Sequence, residues 1–92
     1  MITLTGPAIE VIRSLTMAPG VAEKSGLRIV HADGSGSLTL SVAPGPEHGD
    51  EIVESDGVRV FLEGEVAEML HGQQLDATVD DRGVAFRVLV QE

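Results

Sequence analysis

The sequence predicts a β-rich fold, between all-β and α+β: a β sandwich or open barrel with an N-terminal helix and one short later helix. Three observations predict it. After Gly26 the apolar residues recur at every second position, in Leu27 and Ile29, in Leu38, Leu40 and Val42, and in Val58, Val60 and Leu62, which is the period of half-buried strands. Asp56-Gly57 stands between two extended runs, and that dipeptide is the strongest short-range sign of a two-residue hairpin. Only two stretches carry helical spacing. The 92 residues make one domain, residues 1–92, and a chain of that size buries roughly 60–65% of the surface its unfolded form exposes.

Each element follows from its residues. Over residues 5–16, Ala8, Ile9, Val11, Ile12 and Leu15 recur three and four apart, so they share one face of a helix. Thr5 is its expected N-cap, and Pro7 is tolerated in the first turn. Pro19-Gly20 ends the pattern, because proline cannot donate to the helical ladder and restrains the residue before it. Residues 17–25 are a connector, and the strands begin after it. Residues 65–71 read as a helix of barely two turns, with Val66, Ala67, Met69 and Leu70 apolar and Gly72 as its C-cap; one so short depends on packing. Leu75, Ala77 and Val79 alternate again, residues 80–83 form a turn, and Val84, Phe86, Val88 and Val90 complete a closing hairpin.

Composition removes several function classes. Fifteen acidic against six basic side chains give a net charge of -9, which repels a phosphate backbone, so no nucleic acid is expected as a partner. Phe61 and Phe86 are the only aromatic residues, leaving no platform on which bases or sugars would stack. No apolar run approaches the roughly 18 residues needed to cross a bilayer, and the first residues have neither the charge nor the apolar stretch of a signal peptide. No membrane association and a cytoplasmic location are the expectations, and the absence of cysteine fits that compartment.

The order Ile2-Thr-Leu-Thr5, Gly26-Leu-Arg-Ile29, Gly49-Asp-Glu-Ile52, Asp56-Gly-Val-Arg-Val60 and Gly72-Gln-Gln-Leu-Asp76 resembles the HesB/IscA family of A-type iron-sulfur cluster carriers, from Ile2 to about Val90. The resemblance implies a HesB-like fold. It also implies three cysteine ligands, one in a Gly-Cys-Ser-Gly loop and two in a Cys-Gly-Cys tail after the last strand. Here the loop reads Asp33-Gly34-Ser35-Gly36-Ser37, which places Ser35 at the first cysteine, and the sequence stops at Glu92, where the tail would begin. The expected consequence is the loss of all three ligands. Clusters of this kind are held by soft, anionic thiolates, whereas a serine hydroxyl stays protonated near neutrality. No iron-sulfur cluster or other cofactor is therefore expected.

Other constellations compete with simpler explanations. His31, His48 and His71 suit a transition metal by type, but they fall on a strand end, a Pro/Gly loop and a helix end without local ligand spacing. Of these, His31 and His48 are the candidate metal residues, while His71 would complement a helix dipole. Glu63, Glu65 and Glu68, with Asp80-Asp81, offer oxygen ligands, yet a solvated helix face explains the glutamates. Gly34-Ser35-Gly36-Ser37 lacks the lysine and the glycine spacing of a phosphate loop, and no nucleophilic elbow surrounds Ser35. No catalytic set of nucleophile, base and orienting group can be assembled, so the chain is not expected to be an enzyme.

Two functional expectations follow. The first is a cysteine-less, non-catalytic module that binds a protein partner or regulates one, with a homodimer through strand edges as a route to association. The second is a protein that binds iron or another divalent cation through histidine and carboxylate ligands.

Overall fold

The computed structural model describes residues 2–17, 20, 24–31 and 38–90. Among these residues, seven strands and two helices run in the order β1 (Thr3–Leu4), α1 (Gly6–Thr16), β2 (Gly26–His31), β3 (Leu38–Ala43), β4 (Glu51–Ser55), β5 (Val58–Leu62), α2 (Gly64–Met69), β6 (Gln73–Asp80) and β7 (Gly83–Val90). The strands form two sheets, one ordered β3-β2-β5-β4 and the other β1-β6-β7. One cluster of buried side chains takes Leu27, Ile29, Val58, Val60 and Leu62 from the first sheet, Leu75 from the second, Ile9 and Ile12 from α1, and Val66 from α2. A β-rich, HesB-like architecture with an N-terminal helix and a short later helix is the fold observed.

The helix α1 begins where its cap allows. Thr5 is extended, and its hydroxyl accepts from the Ala8 amide at 3.2 Å, satisfying one of the amide donors that a helix start leaves unpaired. Ala8, Ile9, Val11 and Ile12 are buried along the predicted face. The helix end coincides with Thr16, whose hydroxyl returns a 2.8 Å hydrogen bond to the Ile12 carbonyl.

The hairpin at Asp56-Gly57 is present, joining β4 and β5 with Ser55 opposite Val58. Asp56 at φ 48° and Gly57 at φ 85° put both turn residues in the left-handed region that a type I′ turn requires. Arg13 of α1 reaches across to donate to the Asp56 carbonyl at 2.7 Å, fixing the turn against the helix.

Two pairings were not visible in the periodicity. β2 lies parallel to β5, and β1 lies parallel to β6, so segments far apart in sequence are neighbours in both sheets. β5 is also buried on both sides: Phe61 is as inaccessible as Val58, Val60 and Leu62, although alternation assigned only one face to the core. Phe61 fits because Gly26 lies over it, where a Cβ would come within 2.9 Å of the ring. The second helix differs in detail from expectation. Its C-cap is Leu70, and Gly72 lies two residues beyond at φ 76°, turning the chain into β6.

Candidate functional site

A concave groove of about 630 Å³ opens where the end of β2, the loop before β4 and the start of α2 meet, lined by Arg28, His31, His48, Asp50, Glu63 and Glu65 among others. Arg28 is its structural floor. Its guanidinium donates to Asp50 through Nε to Oδ2 at 2.9 Å and through Nη2 to Oδ1 at 3.1 Å, and Nη1 lies 3.3 Å from Glu47. Only 2% of the Asp50 side chain is exposed. Its carboxyl is held below the usual carboxylate range, first by the Arg28 hydrogen bonds, against the opposing effect of burial, and further by the Glu47 amide. Arg28 is raised in turn, mainly by Asp50.

This pairing shapes the rim. The Glu47 amide donates to Asp50 Oδ2 at 2.9 Å, and the Asp50 amide donates to the Glu47 carbonyl at 3.0 Å. Residues 47–50 therefore close into a tight turn that carries His48 at the groove. On the opposite wall, Glu63 precedes α2; its amide donates to the Ile29 carbonyl at 3.2 Å, and its Oε1 accepts from the His31 amide at 3.4 Å. His31, the last residue of β2, is thus fixed by its backbone while its imidazole lines the groove.

The two candidate metal residues, His31 and His48, are brought to one groove with Glu63 and Glu65. His71 lies in the turn after α2, away from that lining. Glu68 is exposed, and Asp80 is used locally, its carboxylate accepting from the Arg82 amide at 2.8 Å. Among the described residues no three histidine, aspartate or glutamate side chains converge as a metal-binding group. Ser35 and the loop of residues 32–37 lie outside the described residues.

A second anchor sits on the other sheet. Asp76 accepts from the Thr5 hydroxyl at 2.6 Å through Oδ1 and from Arg87 Nε and Nη2 at 3.2 Å through Oδ2. The Thr5 bond chiefly, with the Ala77 amide and Arg87 assisting, lowers its carboxyl pKa despite desolvation. One aspartate thereby joins the cap of α1 to β6 and β7. Arg28, Asp50 and Asp76 all belong to the sequence stretches that carry the family resemblance, but single-sequence reading assigned them no partners, because ion pairs between distant segments leave no local spacing.

Two mixed sheets of this order, with a capped N-terminal helix and a short helix before the last hairpin, define the HesB/IscA-type fold. Solved structures agree. Escherichia coli SufA, described as involved in biosynthesis of iron-sulfur clusters, is 26% identical over 95% of this chain and 82% of its own, with a TM-score of 0.76. IscA with a 2Fe-2S cluster is 27% identical over 96% and 83%, at 0.65. A protein from Aquifex aeolicus is 26% identical over 98% and 91%, at 0.79. No family model matches, and no curated protein does. The chain has the HesB/IscA-type fold in a divergent form that contains no cysteine.

Donor chemistry decides how far the likeness extends. A cluster needs thiolates, and the groove offers imidazole, carboxylate and guanidinium groups, with no cysteine anywhere in the 92 residues. The residues present do not fit an iron-sulfur cluster. Among the described residues no helix is long and apolar enough to cross a membrane.

Proposed function

We propose that this chain is a HesB/IscA-like protein that acts by binding a protein partner, without ligating a cluster and without catalysing a reaction. The observation that carries the reading is the pairing of an intact scaffold with absent ligands. Arg28–Asp50 and Thr5–Asp76–Arg87 hold the fold together, while the thiols on which cluster chemistry depends are missing. A binding or regulatory module requires the scaffold and not the thiols. Such a module works in the cytoplasm, and its acidic surface favours a basic protein over a nucleic acid. The test is anaerobic incubation with ferrous iron and sulfide. The reading expects no stoichiometric visible absorbance after desalting; a stable cluster would overturn it.

A second reading is favoured by one observation, the placement of His31 and His48 on the same groove as Glu63 and Glu65. On that reading the groove binds iron or another divalent cation through nitrogen and oxygen donors. The lack of a converging group of three weighs against it. Calorimetric titration with ferrous iron and zinc separates the two. Micromolar binding abolished in His31→Ala or His48→Ala would establish the metal reading, and no heat at millimolar metal would remove it.

A further inference from the structure

The groove at the end of β2 has a charge imbalance that its own residues leave uncorrected. Its lining carries four carboxylates, Glu47, Asp50, Glu63 and Glu65, against one guanidinium, that of Arg28. Arg28 is already committed: Nε and Nη2 donate to Asp50, and Nη1 faces Glu47 at 3.3 Å. Asp50 is occupied by the same pair. Among the described residues Glu65 has no hydrogen-bond or ion-pair partner, and Glu63 engages only Oε1, with the His31 amide at 3.4 Å. The imidazoles of His31 and His48 line the same space without such a partner, and each offers one acceptor nitrogen when neutral.

The spacing of these acceptors selects the ligand. A metal ion needs several donors converging to about 2.0–2.6 Å from one point, and no three converge among the described residues. A guanidinium has the opposite requirement. It presents five N–H donors pointing outward around a rigid plane, so it pairs with acceptors that stand apart, while its apolar stem lies along a wall. A lysine ammonium is a compact point charge and makes poorer use of a dispersed set. The shape agrees. The groove encloses about 630 Å³, and a Cβ on Gly64 would lie 3.8 Å from the Gly49 carbonyl oxygen, so the loop before β4 and the start of α2 touch and form one continuous lining. The negative surplus repels anionic ligands.

We propose, on the reading of the chain as a protein-binding module, that this groove receives an arginine side chain from a basic segment of the partner protein, with Glu63 and Glu65 as its counter-ions. The Arg28–Asp50 pair holds the floor and the turn carrying His48; it does not itself bind the segment.

Exposed ion pairs are individually weak, so ratios between matched probes and variants decide the matter. The probe is a blocked Gly-Arg-Gly-Arg-Gly peptide, beside a citrulline version that keeps the side-chain shape and removes the charge, titrated by calorimetry with a chelator present. At about 0.15 M salt, charges beyond about 8 Å are largely screened, and remote carboxylates contribute little. The arginine peptide is expected to bind at least about tenfold more tightly than its citrulline version. Glu63→Gln combined with Glu65→Gln is expected to weaken it at least about fivefold. Glu10→Gln combined with Asp81→Asn removes the same charge away from the groove and is expected to change binding less than about twofold. Circular dichroism checks that both double variants remain folded, and the Gly49 and Gly64 amide resonances are expected to shift with the arginine peptide. Absence of binding at millimolar peptide, equal binding of the citrulline version, equal losses in the two double variants, or unmoved Gly49 and Gly64 resonances would each overturn the proposal. So would a lysine peptide or spermidine that binds more tightly than the arginine peptide. None of these outcomes bears on cluster reconstitution, so the assignment of this groove can fail while the protein-binding reading stands.

Discussion

Arg28 holds Asp50 by two nearly parallel hydrogen bonds, at 2.9 and 3.1 Å, and through it the turn that presents His48. β2 and the loop before β4 are thereby locked 22 residues apart. Such fork-on-carboxylate pairs combine charge with directional geometry. With 2% of the Asp50 side chain exposed, its removal strands donors that water reaches poorly. Asp50→Ala is expected to lower unfolding free energy by about 1–3 kcal/mol, measured as a fall in the urea midpoint. Arg28→Lys should recover little of the wild-type behaviour, because an ammonium cannot make the bidentate pair.

The same aspartates set the acid limit. Asp50 and Asp76 both have carboxyl pKa values below normal in the fold, so the unfolded chain binds protons more readily than the folded one. Their stabilisation is therefore complete above the unfolded value of about 3.9 and is lost as pH falls through the lowered folded values. Unfolding curves from neutral pH into acid should show this decline. Asp50→Asn should flatten it, and a variant curve parallel to the wild type would refute the assignment.

Thr5 does two jobs with one hydroxyl, accepting from Ala8 and donating to Asp76 at 2.6 Å. Thr5→Ala should cost about 1 kcal/mol or somewhat more, the usual loss for a cap, because the Asp76 bond goes with it. Thr5→Ser keeps the oxygen and should remain close to wild type. Hydrogen exchange at the first turn of α1 is the local readout.

Gly26 is required by packing alone. A Cβ there would meet the Arg59 carbonyl at 2.6 Å and the Phe61 ring at 2.9 Å, and the carbonyl cannot move without disturbing the parallel β2–β5 ladder. Gly26→Ala should destabilise by about 1–3 kcal/mol. A variant as stable as the parent would show that the two strands have more freedom than their pairing implies.

The local code of this chain was open to reading. Thr5 as a cap, Asp56-Gly57 as a turn, and the alternation in β2, β5 and β6 each act over a few residues, and each appears in the fold. What stayed hidden acts at long range. Parallel pairing of β2 with β5 changes no local periodicity, and Phe61 is buried only because Gly26 faces it. Likewise Arg28 and Asp50 look like ordinary surface charges until the loop folds back. His31 and His48 could be singled out by residue type, yet their meeting in one groove depends on the turn that Asp50 closes. The resemblance to iron-sulfur carriers rested on Gly26-Leu-Arg, Gly49-Asp and Leu75-Asp76, and these prove to be anchors of the scaffold. For that reason they predict fold better than chemistry.

The proposal made above is that the scaffold persists without cluster chemistry. It is tested most directly by anaerobic reconstitution with iron and sulfide, run side by side on this protein and on IscA, whose structure holds a 2Fe-2S cluster, followed by desalting and measurement of visible absorbance, iron and labile sulfide. A folded protein with neither visible absorbance nor bound sulfide is expected under conditions that load IscA. A stable, stoichiometric cluster on this cysteine-free chain would contradict it.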